Sequence, residues 1–361
     1  MMKMTKTGIA MVLALSTFLA GNAFAATKTL SFALPLAPTG SRVHQTWEWW
    51  ADTVKEKTGG SVEVKIYYMQ SLVKLKDAAQ AVTAGIADLA YMSPAYTPDK
   101  LPLWYMENTR IGSSDPYVVT EAFRRVRENF PPLREEEKKN NMKYVVHLSN
   151  GPQVLISKTH PYTTPDDFQG DKVRMPGTMA KVAKMADWKV DPVSLYFSEI
   201  YSAMGRGTID GAMTYVPLIG PNSQNEVSKY VVEPKVGQNS NVVMMNLNSW
   251  QRLSEKEQAV FDGLRTELMV RLARAGIEDE AEQRELLKND PDNPLIFQEL
   301  TPAQRQAWEK GLALGDDEMI KQMSRWNRHA GDLHQAYKEE IEKVAREVEA
   351  EGYPWDRQRL Q

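Results

Sequence analysis

The chain has no cysteine, so it has no disulfide and no thiolate site, even in an oxidising compartment. Its five histidines are His44, His147, His160, His329 and His334. None belongs to an HExxH pair or stands at metal-ligand spacing with a carboxylate cluster. There is no GxSxG elbow and no P-loop. The glycine segment Gly205–Gly211, GRGTIDG, is one residue too long for GxGxxG and lies between a helix and a strand, the wrong order for a dinucleotide site. It reads as a helix C-cap followed by a turn. Carboxylates are scattered over helical faces, and nothing favours a paired-acid mechanism. No cofactor and no metal are expected. Positive charge is not in excess either. The net charge is −3, which argues against nucleic acid as a partner, and an anion must be captured by local geometry.

A long apolar run is also lacking. Ile9–Ala20 is too short to span a bilayer. It follows Lys3 and Lys6 and precedes Ala23-Phe24-Ala25, a small-x-small cleavage signal. Together these predict a secretory signal peptide over residues 1–25 and a periplasmic mature chain. No cysteine follows for lipidation. Roughly 335 residues then remain, enough for two domains.

Strands are predicted at Thr29–Ala33, Val62–Tyr67 and Ala87–Tyr91, and helices at His44–Lys57 and Asp77–Ala84. This βαβαβ alternation implies a parallel or mixed sheet with helices on its faces. Trp47, Trp50, Ala51 and Val54 form one helical stripe, closed by Thr58-Gly59-Gly60. Pro94–Pro116 is irregular. Val118–Lys139 is helical with a break at Pro131-Pro132. Further strands are expected at Tyr144–His147, Val154–Ile156, Ile209–Met213 and Val242–Asn246, with a helix at Thr178–Trp188 and a short one capped by Ser198. Ser254-x-x-Glu257 and Thr301-x-x-Gln304 are capping boxes, and from there to Ala350 the chain is almost wholly helical. The pattern is two α/β units followed by a helical C-terminal wrap.

Thr164–Gly177, TPDDFQGDKVRMPG, places Arg174 at the end of a short strand that Met-Pro-Gly prevents from continuing. A guanidinium at such a point can turn into a cleft and hold a planar carboxylate with two parallel hydrogen bonds. It can equally be a surface arginine at a strand end.

Four segments then carry a resemblance. They are Trp50–Leu72, Ala81–Tyr96, TPDDFQGDKVRMPG with the threonine before it, and Leu195–Met213. In this order and spacing, behind a leader, the chain resembles the periplasmic solute-binding proteins of TRAP transporters, the DctP-like group. The resemblance implies an α/β, two-lobed periplasmic-binding-protein-like fold with hinge-crossing strands, a long helix and a helical C-terminal region. Lobe I would comprise 26–150 plus about 240–280. Lobe II would comprise 151–239 plus about 281–361 with the C-terminal helices. The hinge is expected near Asn150 and Asn239–Val243. The resemblance also implies that Arg174 binds a ligand carboxylate, that Phe197 lines the pocket, and that the protein is no enzyme. Its partners would be a small organic anion and the small and large TRAP membrane subunits, with the receptor a monomer.

Two departures bear on the ligand. Relatives often carry a second arginine where this chain has Val154, and Glu-Asn where it has Ala212, Met213, Thr214 and Tyr215. A single arginine suits a monoanion with a less polar body, a monocarboxylate with an apolar or aromatic part. The full candidate set is Arg174, Phe197, Thr214, Tyr215, Val154, Gln153, Tyr91, Trp104 and Asn239, although any one of the aromatics serves equally as core. The competing readings are an exported α/β enzyme acting on an organic acid, a receptor for a small sulfonate, and a receptor serving a sensor kinase.

Overall fold

The computed structural model describes residues 27–108, 110, 113–235 and 237–357. The expected signal peptide lies outside them. Eleven strands among these residues form two sheets. The first has the order β2-β1-β3-β10-β4, from Val62–Tyr67, Lys28–Ala33, Leu89–Met92, Gln238–Asn246 and Met142–Pro152. The second has the order β11-β9-β5-β8-β6-β7, from Ile296–Gln298, Tyr230–Val232, Val154–Ser157, Gly211–Thr214, Lys172–Arg174 and Asp191–Val193. Both are mixed. β1 pairs parallel with β2 and β3, and β10 runs antiparallel to β3 and β4. In the second sheet β6 is parallel to β7 and β8, and β5 is antiparallel to β8 and β9.

Each sheet is covered on both faces, as a sheet with parallel strands requires. One face of the first packs the stripe Trp47, Trp50, Ala51 and Val54 of helix Arg42–Lys57 with Phe261 and Leu268 of helix Glu255–Lys288. Ser41 accepts from the His44 amide to start the first of these helices, and left-handed Gly59 and Gly60 follow its end. The other face packs Trp104, Phe123 and Tyr144. Leu333, Tyr337, Ile341 and Val344 of helix Ala330–Glu351 join this cluster. The last long helix therefore belongs to the first lobe, a correction to its expected place in the second. Its apolar stripe meets helix Pro116–Asn129, not the helices of the second sheet. The preceding helix, Pro302–Met323, does supply Trp308 and Leu312 to the second lobe, beside Phe168 and Met179.

The chain crosses between sheets at Pro152–Val154 and at Val232–Gln238. Gly151 at φ +80° and Gly237 at φ +96° stand at these crossings, in the left-handed region that a side chain resists. The Gln153 amide donates to the Gly237 carbonyl (3.0 Å), tying the two crossings together. Helix Glu255–Lys288 is the third connection. Its N-terminal half lies in the first lobe's core, and Leu287 reaches the second lobe's. It starts at the expected Ser254/Glu257 capping box.

Three short strands, β7, β9 and β11, lie where the sequence offered three-residue runs with no alternation. The short helix after Leu195 starts differently from the expectation. The Glu199 carboxylate accepts the Tyr196 amide (2.9 Å), and Ser198 plays no capping part.

Candidate functional site

Arg174 ends β6 and turns inward. Thr164 and Asp167 form a capping box that fixes the preceding turn. Pairing of Arg174 with Ala212 of β8 and Val193 of β7 fixes the strand. Its side chain is buried, with 7% of the residue exposed. Nε donates to the Leu195 carbonyl (3.2 Å) and Nη1 to the Met213 carbonyl (3.0 Å). The guanidinium lies 6.0 Å from the centre of the Phe197 ring. Among the described residues no carboxylate forms an ion pair with it. Burial draws its pKa down, while the phenols of Tyr96 and Tyr215 act the other way. An arginine stays charged regardless. The result is a desolvated cation whose acceptors are neutral.

The groups around it come from both lobes. Tyr215, just past β8, is buried and stands 6.4 Å from Phe197, ring to ring. The Gln153 side-chain amide donates to its hydroxyl (2.8 Å). Burial pushes the Tyr215 phenol up to about 12, so it is a neutral donor. From the first lobe, the Tyr96 hydroxyl accepts the Phe197 amide (3.3 Å), and its ring meets Tyr196 at 5.6 Å. The Tyr105 hydroxyl shares a hydrogen bond with Thr178, in the first turn after Arg174. Tyr91 donates to Asn150 (3.2 Å), and burial raises its pKa. Asn150 also borders a cavity of about 590 Å³. The loop Leu36–Gln45, Pro217, Leu218 and the helix segment Leu272–Leu286 enclose it, and Arg174 does not line it. A volume of this size is in the range of small-molecule clefts.

The structure brings together Arg174, Phe197, Tyr215, Gln153 and, across the cleft, Tyr91. It separates the others. Trp104 is fully buried among Phe123 (5.3 Å), Tyr144 (5.2 Å) and His147 (5.9 Å), so it is core and not a pocket wall. Val154 points into the second lobe's core. The Thr214 hydroxyl donates to Gln224 (2.6 Å) and is fully buried. Asn239 donates to Asn108 and accepts from Asn241 (2.9 Å each), a brace at the crossing strand. Sequence reasoning missed Tyr96, Tyr105, Tyr196 and Thr178. The first two sit in the Pro- and aromatic-rich stretch after Met92, whose composition was the available signal. Among the described residues no cluster of three or more His, Asp or Glu could hold a metal.

Comparison with known proteins decides the family. The model of bacterial extracellular solute-binding protein, family 7, the DctP family, matches residues 35–322. The chain belongs to this family. Among curated relatives it is 25% identical over 290 residues to the C4-dicarboxylate-binding periplasmic protein DctP of Rhodobacter capsulatus, covering 75% of this chain and 80% of that one. It is 26% identical to the sialic acid-binding periplasmic protein SiaP of Vibrio cholerae, covering 69% and 76%. Among solved structures, a TRAP solute-binding protein of Rhodoferax ferrireducens with copurified benzoate superposes with a TM-score of 0.78 at 20% identity, covering 89% of this chain and all of that one. A protein of Bordetella bronchiseptica with bound mandelate gives 0.75 at 19%, covering 88% and 99%. The family is one of extracytoplasmic TRAP solute receptors, which bind small ligands and serve membrane permeases. Among the described residues no helix is long and apolar enough to cross a membrane.

Proposed function

We propose that this receptor captures a small organic monoanion, a monocarboxylate with an apolar or aromatic body, and delivers it to a TRAP-type membrane transporter from the periplasm as a monomer. The observation that carries the reading is Arg174, buried between the lobes with carbonyls for partners and no carboxylate among the described residues. A buried charge needs a partner of opposite sign. A ligand carboxylate would supply it, with Phe197 and the tyrosines packing on its body. Relatives of this family bind ligands as different as C4-dicarboxylates, sialic acid and ectoine by their names. The choice here therefore rests on this chamber. At the two positions where the resemblance implies further polar groups, this chain has Val154, packed in the second lobe's core, and Thr214, whose hydroxyl is bound to Gln224. The hinge motion is a bend at Gly151 and Gly237 that brings Tyr96 and Tyr105 onto the second lobe.

Calorimetry on the mature protein with benzoate, mandelate, pyroglutamate, succinate and methanesulfonate tests this. We expect saturable binding of a monocarboxylate without turnover. Preference for succinate or for the sulfonate would overturn the assignment, and product formation would favour an enzyme.

A further inference from the structure

Between the lobes stands a hydroxyl whose hydrogen bonding is half used. The Tyr96 oxygen accepts the backbone amide of Phe197 from across the cleft (3.3 Å). That bond occupies a lone pair and leaves the O–H proton free. Among the described residues no acceptor takes that proton. The amide donor is backbone and cannot be reversed, so the direction of this bond is fixed. The Tyr96 phenol stands within electrostatic reach of Arg174 and of Tyr215. Its ring is held at 5.6 Å from Tyr196, whose ring Lys76 of the first lobe also approaches at 5.0 Å. Phe197, whose amide Tyr96 holds, is the same residue whose ring lies 6.0 Å from the Arg174 guanidinium.

We propose that Tyr96 is a specificity-determining residue: it donates its O–H to the ligand's anionic group from the first lobe while Arg174 holds that group from the second. This rests on the reading of Arg174 as the anion anchor. A deprotonated carboxylate is acceptor-only, with about four lone-pair sites for donors. It can take the arginine and one or two phenols at once. A primary amide of the same shape offers these donors a single neutral oxygen and turns its NH2 toward one of them, so it binds more weakly. A hydrogen bond to a charged group is stronger than one to a neutral group, so the O–H adds to acid selectivity as well as to affinity. Because the same oxygen accepts the Phe197 amide, recognition and lobe contact pass through one side chain.

The test compares benzoate with benzamide, (R)-mandelate with mandelamide, and pyroglutamate with its amide, on wild type, Tyr96→Phe and Tyr105→Phe. Tyr105→Phe removes another cross-lobe hydrogen bond and is the control for closure alone. Circular dichroism and thermal melts of each variant establish that it is folded. We expect Tyr96→Phe to weaken carboxylate binding about tenfold or more and to lower the acid-to-amide ratio severalfold. Tyr105→Phe should weaken acid and amide alike and leave the ratio unchanged. Unchanged carboxylate affinity in Tyr96→Phe, or an unchanged ratio, overturns the assignment of Tyr96 and leaves Arg174 as anchor. If wild type binds none of the three acids, the monocarboxylate reading falls first, and the role of Tyr96 with it. Tyr96→Gln returns an N–H donor without the ring. Partial recovery of the ratio supports the hydroxyl's role, and none at all, with the fold intact, assigns the effect to the ring.

Discussion

Arg127 and Arg174 are both largely buried arginines near an aromatic face, and their partners differ. Arg127 faces Glu137 through two bonds of 2.7 Å, Nε to Oε1 and Nη2 to Oε2, and lies 4.1 Å over the Tyr144 ring. Arg174 lies 6.0 Å from Phe197 and donates to two main-chain carbonyls. The first is a closed account of charge within the first lobe. The second leaves a desolvated positive charge at the boundary of two lobes. Burial of an arginine by itself marks nothing, and under the proposed function it is the missing carboxylate at the lobe boundary that suits Arg174 to an anion.

The strongest way to break this comparison is to make the first arginine resemble the second. Glu137→Ala leaves Arg127 buried without its carboxylate and should destabilise the fold by about 3–5 kcal/mol, read by urea denaturation. If stability is unchanged, the contrast between the two sites has no energetic content. The converse is Arg174→Ala. It should leave stability unchanged or slightly raised, because no ion pair is lost. It should weaken ligand binding by about 2–5 kcal/mol, or roughly 30-fold and upward. Arg174→Lys should recover little, since an ammonium lacks the planar fork. Retained affinity in the alanine variant would remove Arg174 as anchor.

Nothing in the sequence marks Arg127 as buried or paired. Arg127 lies on a helix among Arg124 and Arg125, and its partner Glu137 is on the next helix, ten residues on. Only the turn at Pro131 brings them together. Arg174 was legible because Met-Pro-Gly stops its strand. The closeness of Phe197 to Arg174 accords with what the resemblance implies, and Tyr215 was a candidate only as an aromatic just after the expected strand Ile209–Met213. Trp104 was not legible, because a tryptophan in a Pro-rich stretch looks the same whether it faces a cleft or a core, and its contact with Tyr144 joins residues 40 apart. Tyr96, in the same stretch, was passed over for the same reason. The fold was legible where capping boxes and 3.6-residue stripes are strong, as at Ser254 and Trp47. It was illegible in the three-residue strands, which exist only through pairing. The last helix was assigned to the wrong lobe because its apolar stripe, Ile341 to Val348, says that it packs and not against what.

A third test sharpens the contrast through pH. Glu257 is a buried carboxylate with its partners in place. Burial raises its pKa, but hydrogen bonds from Lys28, the Ser254 amide and Ser61 outweigh that and hold it at about 2. A folded pKa below the unfolded one means that the unfolded state binds the proton more readily. Its stabilisation is therefore present above pH about 4.5 and is lost as pH falls toward 2. With Lys28 39% exposed, the contribution is about 1–2 kcal/mol. Acid denaturation of Glu257→Gln should lose that part of the slope. An unchanged acid profile would show that this pair is screened away. Ligand binding at Arg174 should be indifferent to the substitution.

The smallest expected effect concerns the bond between Tyr105 and Thr178, which joins the lobes without touching the arginine. In the ligand-free protein the closed form gains this bond and the Tyr96–Phe197 contact, but it also desolvates Arg174 without a counter-charge. The two terms oppose each other, so closure depends on what the ligand adds. Removing one hydrogen bond by Tyr105→Phe should cost the closed state about 0.5–1.5 kcal/mol. If the free protein is mostly open, apparent affinity falls with the closed population. The loss is then up to about tenfold and equal for every ligand, acid or amide, with unchanged selectivity. Small-angle scattering should show the same compact form for wild type and variant at saturation, and a larger radius of gyration for both without ligand. Identical profiles with and without a ligand shown to bind would eliminate hinge closure. The Tyr105 bond would then be a fixed brace between two lobes that do not move, and a ligand at Arg174 would have to enter without any bend at the crossings.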